Sequence, residues 1–171
     1  MLKEIKNRRS CRKFDANKYP SDEMINEIVE AGLNAPSAIN SQDGVILIVK
    51  DRVARDKLME INKKYARFPV EDPFYRAPVI LLVMNKKTPF AKYDGALMME
   101  NMMLEATHLG LGNIWIHRAK ESLEDPEFKE IVKDLDINID EYEGIGNLAL
   151  GYSLMDSYPP KKIKDNRYFV I

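Results

Sequence analysis

The chain has 171 residues, of which 45% are hydrophobic and 31% are charged, and its formal net charge is -1. This length suits one domain with a substantial core, so we expect residues 1–171 to form a single domain. A chain this close to neutral has no overall field that would attract nucleic acid or an acidic membrane surface. Its apolar runs, such as residues 79–84, are too short to cross a bilayer, and a lone cysteine, Cys11, excludes an internal disulfide. We therefore expect a cytoplasmic protein with no nucleic-acid or membrane partner.

The first half of the chain predicts two helices and two strands. Ser21 can cap a helix whose first turn is acidic, and apolar pairs recur with helical spacing until Pro36 ends the pattern. Residues 45–49 form a β-branched run that predicts a buried strand. The charged segment 52–65 is a second helix candidate, and residues 78–84 predict a second buried strand.

Residues 66–77 predict an ordered loop, because prolines interrupt the segment and no regular periodicity survives. Three aromatic side chains lie in this loop, Phe68, Phe74 and Tyr75. They are candidates for a lid and a substrate wall. Packing into the hydrophobic core is an equal alternative.

The second half predicts two more helices and two more strands. The segment 93–109 is rich in Ala, Leu and Met and is apolar over most of its circumference, so we expect a central helix that is covered on every side. Residues 113–117 and 145–150 predict the third and fourth strands. The pair Asp125-Pro126 is typical of a helix start.

The end of the chain predicts a short strand with no obvious local partner. Its last four residues are β-prone and follow a spacer that contains two adjacent prolines, Pro159 and Pro160. From these residues alone, two placements are equally open. The strand can return to the sheet of its own chain, or it can add to a sheet edge of a second copy.

Three short motifs carry the chemistry of this sequence, and the first is a basic cluster near the start of the chain. It consists of Arg8, Arg9, Ser10 and Arg12. A guanidinium group is a planar fork of donors that binds phosphate bidentately and stays charged at any working pH. In an extended segment, Arg8, Ser10 and Arg12 face one ligand together. Taken alone, such a cluster is more often a solvated basic turn.

The other two motifs are an amide loop and a glycine turn. In the amide loop a helix breaks into small and carboxamide residues, among them Pro36, Ser37, Ala38, Asn40 and Gln42. Carboxamides donate and accept hydrogen bonds at once. The glycine turn begins at Gly110 and feeds an apolar strand that contains Gly112, Asn113, Ile114 and Trp115. Glycine lets a backbone approach a ligand closely.

The order and spacing of these motifs, together with a basic tail at Lys161 and Lys162, resemble the nitroreductase family of FMN-dependent oxidoreductases. The resemblance covers most of the chain, and residues 66–77 contribute least to it. It implies an α+β fold with a central, mostly antiparallel sheet of four strands that is flanked by helices. It also implies a homodimer that binds two FMN molecules in its interface and exchanges its C-terminal strands.

The resemblance also implies roles for single residues. The cluster Arg8, Arg9, Ser10 and Arg12 would bind the cofactor. Arg8 and Ser10 would lie mainly at the phosphate and ribityl end of FMN, with Lys161 and Lys162 against the phosphate. Arg12 would support the reduced ring at its pyrimidine edge. The residues Pro36, Ser37, Ala38, Asn40 and Gln42 would reach the ring from the partner subunit. Backbone or stacking contacts to the ring would come from Gly112, Asn113, Ile114 and Trp115, although Trp115 is as often a core residue.

The chain departs from the family pattern directly after the amide loop. The family commonly continues with proline and a large aromatic residue, whereas this chain has Asp43 and Gly44. An acidic group close to the ring would disfavour its reduced form and lower its potential. Alternatively, Asp43 points to solvent.

The activity implied by the resemblance is a two-step transfer. NADH or NADPH would pass hydride to FMN and leave, and a small acceptor would then take the electrons, so no side chain is required as a catalytic acid or nucleophile. Nitroaromatics, quinones, enones and halogenated phenols are all candidate acceptors. Two alternatives remain: a protein that binds or senses FMN without turnover, and an interaction domain whose basic cluster binds an anionic partner.

Other signals in the sequence predict packing rather than chemistry. Glu105 and His108 have the spacing of an iron-ligand pair on a helix, but His117 lacks a matching glutamate, so we expect no metal. Cys11 has no partner base nearby, so we expect a buried packing residue. No glycine-rich phosphate loop follows the first strand, so the sequence does not support a Rossmann dinucleotide site.

Overall fold

The structure, a computed structural model, describes residues 1–171 and places all its helices and strands before residue 152. Two short 3-10 turns, Ala38–Asn40 and Ile139–Glu141, accompany them. No helix combines the length and the apolarity that a membrane crossing requires. The elements follow in the order α1 (Lys3–Asn7), α2 (Asp22–Leu33), β1 (Gly44–Val49), α3 (Arg52–Lys64), β2 (Val79–Lys86), α4 (Ala91–His108), β3 (Gly112–Ile116), α5 (Ala119–Glu124), α6 (Pro126–Val132) and β4 (Tyr142–Gly151).

Polar side chains start three of the helices, and for α2 and α6 the sequence signals predict the cap. Ser21 Oγ accepts a hydrogen bond from Met24 N at 3.3 Å and begins α2. The Asp51 carboxylate accepts from the backbone N–H of Ala54 at 2.8 Å and begins α3. The Asp125 carboxylate caps α6, whose first residue is a proline. Each cap satisfies an N–H group that has no partner inside its helix.

The four strands form one sheet in the order β1-β2-β4-β3, and all three pairings are antiparallel. This arrangement confirms the predicted α+β fold with a central antiparallel sheet. β2 and β4 lie in the middle, so β1 and β3 are the two edges. Across the sheet, three strand spacings separate these edges by about 14 Å.

Helices cover both faces of the sheet, which produces two hydrophobic cores. Along β2, Ile80, Leu82 and Met84 face the core that includes α3, α5 and α6. The residues between them face a second core, which contains apolar side chains of α2 and the methionines of α4. Because successive strand residues point to opposite faces, a continuous apolar run marks a strand that is buried on both sides.

The central helix α4 is covered on one side only within a single chain. Met99 and Met102 are fully buried against the sheet, as the sequence predicts. However, Tyr93 is 71% exposed and Leu97 is 44% exposed, so the expectation of cover on every side is not met within one chain. These side chains form an apolar surface that nothing in one chain covers.

The final residues form no strand in the single chain. Residues 160–171 contain neither helix nor strand, and the four apolar residues at the end are all exposed. The tail therefore does not return to the sheet of its own chain, which removes one of the two placements left open by the sequence.

Candidate active site

The basic cluster and the glycine turn lie side by side at one corner of the sheet. Ser10 pairs with Asn113 in a parallel bridge next to β3, and Cys11 N donates to the Asn113 carbonyl at 3.0 Å. The segment thus adds to the open edge of β3 over a short stretch. Two of the three predicted motifs meet within one chain at this corner, which we call the basic corner (residues 8–12 and 110–115).

Two glycines shape the basic corner for different reasons. Gly110 has a φ of +76°, and no atom would lie within 4 Å of an added Cβ, so its conformation requires glycine and the space beside it is open. A Cβ on Gly112 would lie 2.9 Å from Cys11 Sγ and 3.1 Å from Phe14. Gly112 is therefore needed so that the basic segment can pack against β3.

The side chains of the third motif are mostly structural. Asn113 is buried, and its amide nitrogen donates to Met103 O at 3.2 Å and to Thr107 Oγ1 at 3.1 Å. Ile114 lies in the hydrophobic core. The indole of Trp115 packs over Gly146, and its Nε1 has no hydrogen-bond partner. Besides backbone groups, two buried side-chain atoms of this motif remain without a partner: Asn113 Oδ1, an acceptor, and Trp115 Nε1, a donor.

The three arginines of the basic corner differ in how they are used. No salt bridge or side-chain hydrogen bond engages Arg8 or Arg12, and the ion pairs lie elsewhere in the chain. Arg9 is occupied: its Nε donates to Pro159 O at 3.1 Å, and its Nη1 donates to Lys6 O at 2.8 Å and Arg8 O at 2.7 Å. Arg8 and Arg12 are thus free cations, as a phosphate or anion site requires.

The C-terminal segment brings the basic tail to the same corner. Pro159 touches Arg9, and Lys161 follows only two residues later. Two residues span at most about 7 Å, so the backbone of Lys161 lies close to the basic corner. Lys161 and Lys162 are both exposed and form no salt bridge.

The amide loop is held in a strained conformation. Three non-glycine residues have positive φ angles, namely Ile39 at 51°, Asn40 at 57° and Gln42 at 52°. Gln42 N donates to Ser37 Oγ at 3.0 Å, and Gln42 Nε2 donates to Asn40 Oδ1 at 3.1 Å. Left-handed conformations cost free energy in such residues, so local bonds must hold them.

A buried acid on α4 fixes the start of this loop. Asp94 is only 6% exposed, and its carboxylate accepts a hydrogen bond from the backbone N–H of Ala38 at 3.1 Å. Further along α4, Asn101 donates to Ala31 O at 3.0 Å and holds the end of α2. The polar residues of this helix therefore connect it to the segment that carries the amide loop.

A small polar cavity lies behind the amide loop. Its volume is about 180 Å³, and its lining includes Ser37, Gln42, Gly44, Asn85 and Asp94. Asn85 is almost fully buried and its amide nitrogen has no partner. A Cβ on Gly44 would collide with Met98 Sδ at 2.2 Å, so this position requires glycine.

Asp43, where the sequence departs from the family pattern, has a cation beside it. Its Oδ1 lies 3.5 Å from Lys86 Nζ, and its side chain is about a quarter exposed. The pair is close to the surface, where Lys86 offsets part of the negative charge.

The amide loop and the basic corner occupy diagonally opposite corners of the sheet. Gly44, which follows the loop, pairs with Asn85 at the end of β2. Gly112 pairs with Gly151, next to the start of β2, on the opposite edge. A single chain therefore brings together the basic cluster, the glycine turn and the basic tail, but not the amide loop.

The loop of residues 66–77, which we call the aromatic loop, is held against the domain by hydrogen bonds and by core packing. Phe74 is fully buried in the core, and the Asp72 carboxylate accepts from Phe74 N at 2.7 Å and Arg76 N at 3.0 Å. The buried Arg55 donates to Asp72 at 2.5 Å. Phe74 is therefore a packing residue, and Tyr75 packs partly buried against the same core. Phe68 is 69% exposed, as a lid residue requires.

A cavity of about 630 Å³ lies between α3 and this loop. Its acids and bases pair with one another, as in Arg52–Asp56 at 2.9 Å and Arg76–Glu71 at 3.0 Å. It offers no free charge to a ligand, so we place the candidate site at the basic corner instead.

His108 and Cys11 have structural contacts. His108 Nδ1 lies 3.0 Å from Glu4 Oε1, and this hydrogen bond is the main reason that the pKa of Glu4 is lowered. Cys11 is fully buried, as predicted. Burial raises the pKa of Tyr158, and a hydrogen bond with the Cys11 thiol adds to this shift. No group of three or more His, Cys, Asp or Glu side chains is arranged to hold a metal.

The sequence as a whole matches a known family. Residues 5–152 fit the model described as Nitroreductase family. The chain belongs to the nitroreductase family. Among relatives, a protein of Methanothermobacter thermautotrophicus that carries the name NADH dehydrogenase/NAD(P)H nitroreductase is 32% identical over 120 residues. The match covers 67% of this chain but only 59% of that relative. An iodotyrosine deiodinase of Thermotoga neapolitana is 25% identical over 148 residues, which are 75% of each chain.

A solved structure of the nitroreductase family agrees closely with this one. The nitroreductase of Bacteroides fragilis NCTC 9343 with bound FMN superposes with a TM-score of 0.87 at 28% identity. The superposition covers 99% of this chain and 97% of that one. The nitroreductase fold therefore extends over the whole chain.

Two residues have roles that the motifs of the sequence do not indicate. Asp94 holds the amide loop, and its one signal is an acid in the first turn of a methionine-rich helix. Arg9 belongs to the basic cluster, yet its donors reach backbone carbonyls. The alternation of an extended segment separates Arg9 from Arg8, Ser10 and Arg12, but it does not indicate which groups Arg9 meets.

Proposed function

We propose that the protein is an FMN-dependent oxidoreductase that works as a homodimer, takes electrons from NADH or NADPH and delivers them to a small acceptor. The observation that carries the proposal is the pair of free guanidinium groups, Arg8 and Arg12, beside an open glycine turn. The family and the FMN-bound relative support the cofactor. The name of the Methanothermobacter relative supports the nicotinamide as reductant.

The residues present suit FMN. A phosphate monoester needs cations that are not already neutralised, and the basic corner holds two such arginines, while Ser10 supplies a hydroxyl donor. Lys161 and Lys162 add charge from the tail. The space beside Gly110 is open, so a flat ring can approach the backbone there. Trp115 Nε1, which is buried without a partner, belongs to β3, the strand that follows this turn.

In the proposed site, each group of residues has a distinct task. Arg8 and Ser10 bind the phosphate, and Lys161 and Lys162 screen its charge. Arg12 supplies a positive charge at the pyrimidine edge of the ring, where negative charge collects on reduction. The backbone of residues 112–115 orients the ring. FMN itself, when bound, supplies the hydride chemistry, so the chain needs no acid or nucleophile of its own.

The amide loop completes the site only if a second copy contributes it. Within one chain the loop lies at the far corner, and its residues Pro36, Ser37, Ala38, Asn40 and Gln42 do not meet the basic corner. Two apolar features are exposed to solvent in a single chain: the surface around Tyr93 and Leu97 on α4, and Ile39 on the loop itself, which is 97% exposed. A two-fold pair would bury this surface and place each loop against the partner's basic corner. The exposed C-terminal residues would add to the same interface by strand exchange.

The acceptor is a small molecule with a low-lying vacant orbital, such as a nitroaromatic, a quinone or an enone. The iodotyrosine deiodinase relative adds halogenated phenols to this class. The Phe68 side chain, exposed at the tip of the aromatic loop, is a candidate contact for an aromatic acceptor.

A spectrum of the purified protein tests the proposal. We expect a yellow protein, or one that becomes yellow with added FMN, and bleaching when NADH or NADPH is added without oxygen. A yellow protein that does not bleach with either nicotinamide would indicate a flavin-binding protein without turnover. A colourless protein that takes up no FMN would contradict the proposal.

A further inference from the structure

The start of the C-terminal tail runs back along the basic segment. Asp15 N donates to Tyr152 O at 3.0 Å, and Leu154 N donates to Lys13 O at 2.9 Å. Further along, Arg12 N donates to Met155 Sδ at 3.3 Å. The tail segment 152–159 thus lies antiparallel to residues 9–15, and we call it the strap.

The far end of the strap is fastened by side chains. The hydroxyls of Tyr158 and Ser153 are 2.8 Å apart, and Tyr158 packs partly buried against the hydrophobic core that contains Cys11. One residue further, Arg9 donates to the Pro159 carbonyl at 3.1 Å. Beyond Pro159, no residue of the chain forms a hydrogen bond or a salt bridge with the domain. Arg9 is the last attachment before the tail becomes free.

The other hydrogen bonds of Arg9 orient its guanidinium group for the bond to Pro159. Its Nη1 bonds to Lys6 O and Arg8 O, which turns the guanidinium plane toward the strap. Arginine can serve three carbonyls because its donors form a rigid planar fork, whereas a lysine ammonium is a single point on a flexible stem. Arg8, its neighbour, makes no such contact and remains free.

We propose that Arg9 is a positioning residue that fastens the strap and thereby delivers Lys161 and Lys162 to the cofactor phosphate. It also sets the direction in which residues 161–171 leave the domain toward the partner. Arg9 therefore does not bind the phosphate itself, unlike Arg8. The effect on the cofactor rests on the proposed function, whereas the fastening of the strap does not.

Limited trypsin digestion of the apo-protein tests the fastening directly. The measured quantity is the rate of cleavage after Lys161, because the protease must also bind the adjoining Pro159, whose carbonyl Arg9 holds. The released C-terminal peptide is followed by mass spectrometry. We expect release to be about tenfold faster in Arg9→Ala and in Arg9→Lys, because both lose the three-carbonyl contact. The matched control Arg8→Ala should release the peptide at the wild-type rate. Wild-type release from Arg9→Lys, or equally fast release from Arg8→Ala, would overturn the proposal.

Titration with FMN, followed by the quenching of flavin fluorescence, tests the consequence. Arg9→Lys keeps the charge, so a direct phosphate contact predicts little change in the dissociation constant. Positioning predicts affinity about fivefold weaker, and no further loss when Arg9→Lys is added to Lys161→Gln/Lys162→Gln. An unchanged dissociation constant in Arg9→Lys, or a loss that persists in the Lys161→Gln/Lys162→Gln background, would refute the positioning role. If the wild type binds no FMN, the proposed function fails, and the trypsin rates alone decide the role of Arg9.

Discussion

The basic corner and the amide loop are built in opposite ways. The basic corner is assembled within one chain: a segment pairs with β3, a strap returns along it, and two arginines remain without partners. The amide loop lies at the diagonally opposite corner, away from the other two motifs. Its backbone is strained, and Asp94 on α4 holds it through a hydrogen bond. The first region supplies charge, and the second supplies shape. A site that needs both requires two copies of the chain.

Subunit mixing is the most severe test of this comparison. We compare two double variants, Arg8→Ala/Arg12→Ala at the basic corner and Asn40→Ala/Gln42→Ala at the amide loop. Each should bind FMN about 100-fold more weakly than the wild type, since each removes one half of every site. After the two variants are unfolded and refolded together, about a quarter of the sites should recover, because half the dimers are mixed and each has one native site. Recovered sites are counted by flavin absorbance.

The control for this experiment mixes two variants of the same corner, such as Arg8→Ala/Arg12→Ala with Arg12→Ala. No native site can form in that mixture. Wild-type FMN binding by either double variant alone would contradict the shared site. A first mixture that recovers no FMN-binding sites would also contradict it.

Arg12→Ala separates charge from folding at the basic corner. Because Arg12 is exposed and its side chain has no partner, the free energy of unfolding in urea should change by less than about 0.5 kcal/mol. Reduction of bound FMN by NADH or NADPH should slow about 30-fold, since a charge next to the ring is lost. Stopped-flow absorbance measures this rate. Unchanged reduction would remove the role of Arg12.

Asp94→Ala tests how the other region keeps its shape. The substitution leaves the N–H of Ala38 without its acceptor, so we expect a loss of about 1–2 kcal/mol in the free energy of unfolding and about tenfold weaker FMN binding. Asp94→Asn is the control, because the carboxamide oxygen can still accept from Ala38. If Asp94→Asn and Asp94→Ala lose FMN affinity equally, the hydrogen bond is not the cause.

The smallest effect concerns Glu4 and His108, which hold α1 before the basic segment. The pKa of Glu4 is lowered in the folded state, first by its hydrogen bond with His108. A lowered pKa means that this contact stabilises the fold above the ordinary pKa of 4.5 and is lost as the pH falls through the lower folded value. The difference in urea midpoint between the wild type and Glu4→Gln should therefore shrink as the pH falls below about 4.5. A difference that is constant over this range would contradict the assignment.

The elements that the sequence predicted are those with strong local signals. Caps at Ser21 and Asp125 marked helix starts, and uninterrupted apolar runs marked the strands that are buried on both faces. The short helix α5 escaped prediction because its first residue follows Arg118 in a left-handed conformation, which no cap residue announces.

The site was predictable as a set of residues but not as an arrangement. Motif chemistry identified Arg8, Ser10 and Arg12, and the structure leaves the two arginines free. Nothing in the sequence indicated that the guanidinium of Arg9 turns to the strap, because that depends on where Pro159 lies in space. The role of Asp94 likewise depends on a contact across 56 residues.

The strained amide loop implies a trade between durability and performance. Ile39, Asn40 and Gln42 each adopt a conformation that glycine would accept at no steric penalty, yet none of them is glycine. Substitution by glycine would relax the backbone at these three positions. At two of them it would also remove a carboxamide. In a variant library selected for heat resistance alone, we therefore expect glycine to replace these residues early. Retention of Asn40 and Gln42 in such a library would indicate that catalysis is also under selection.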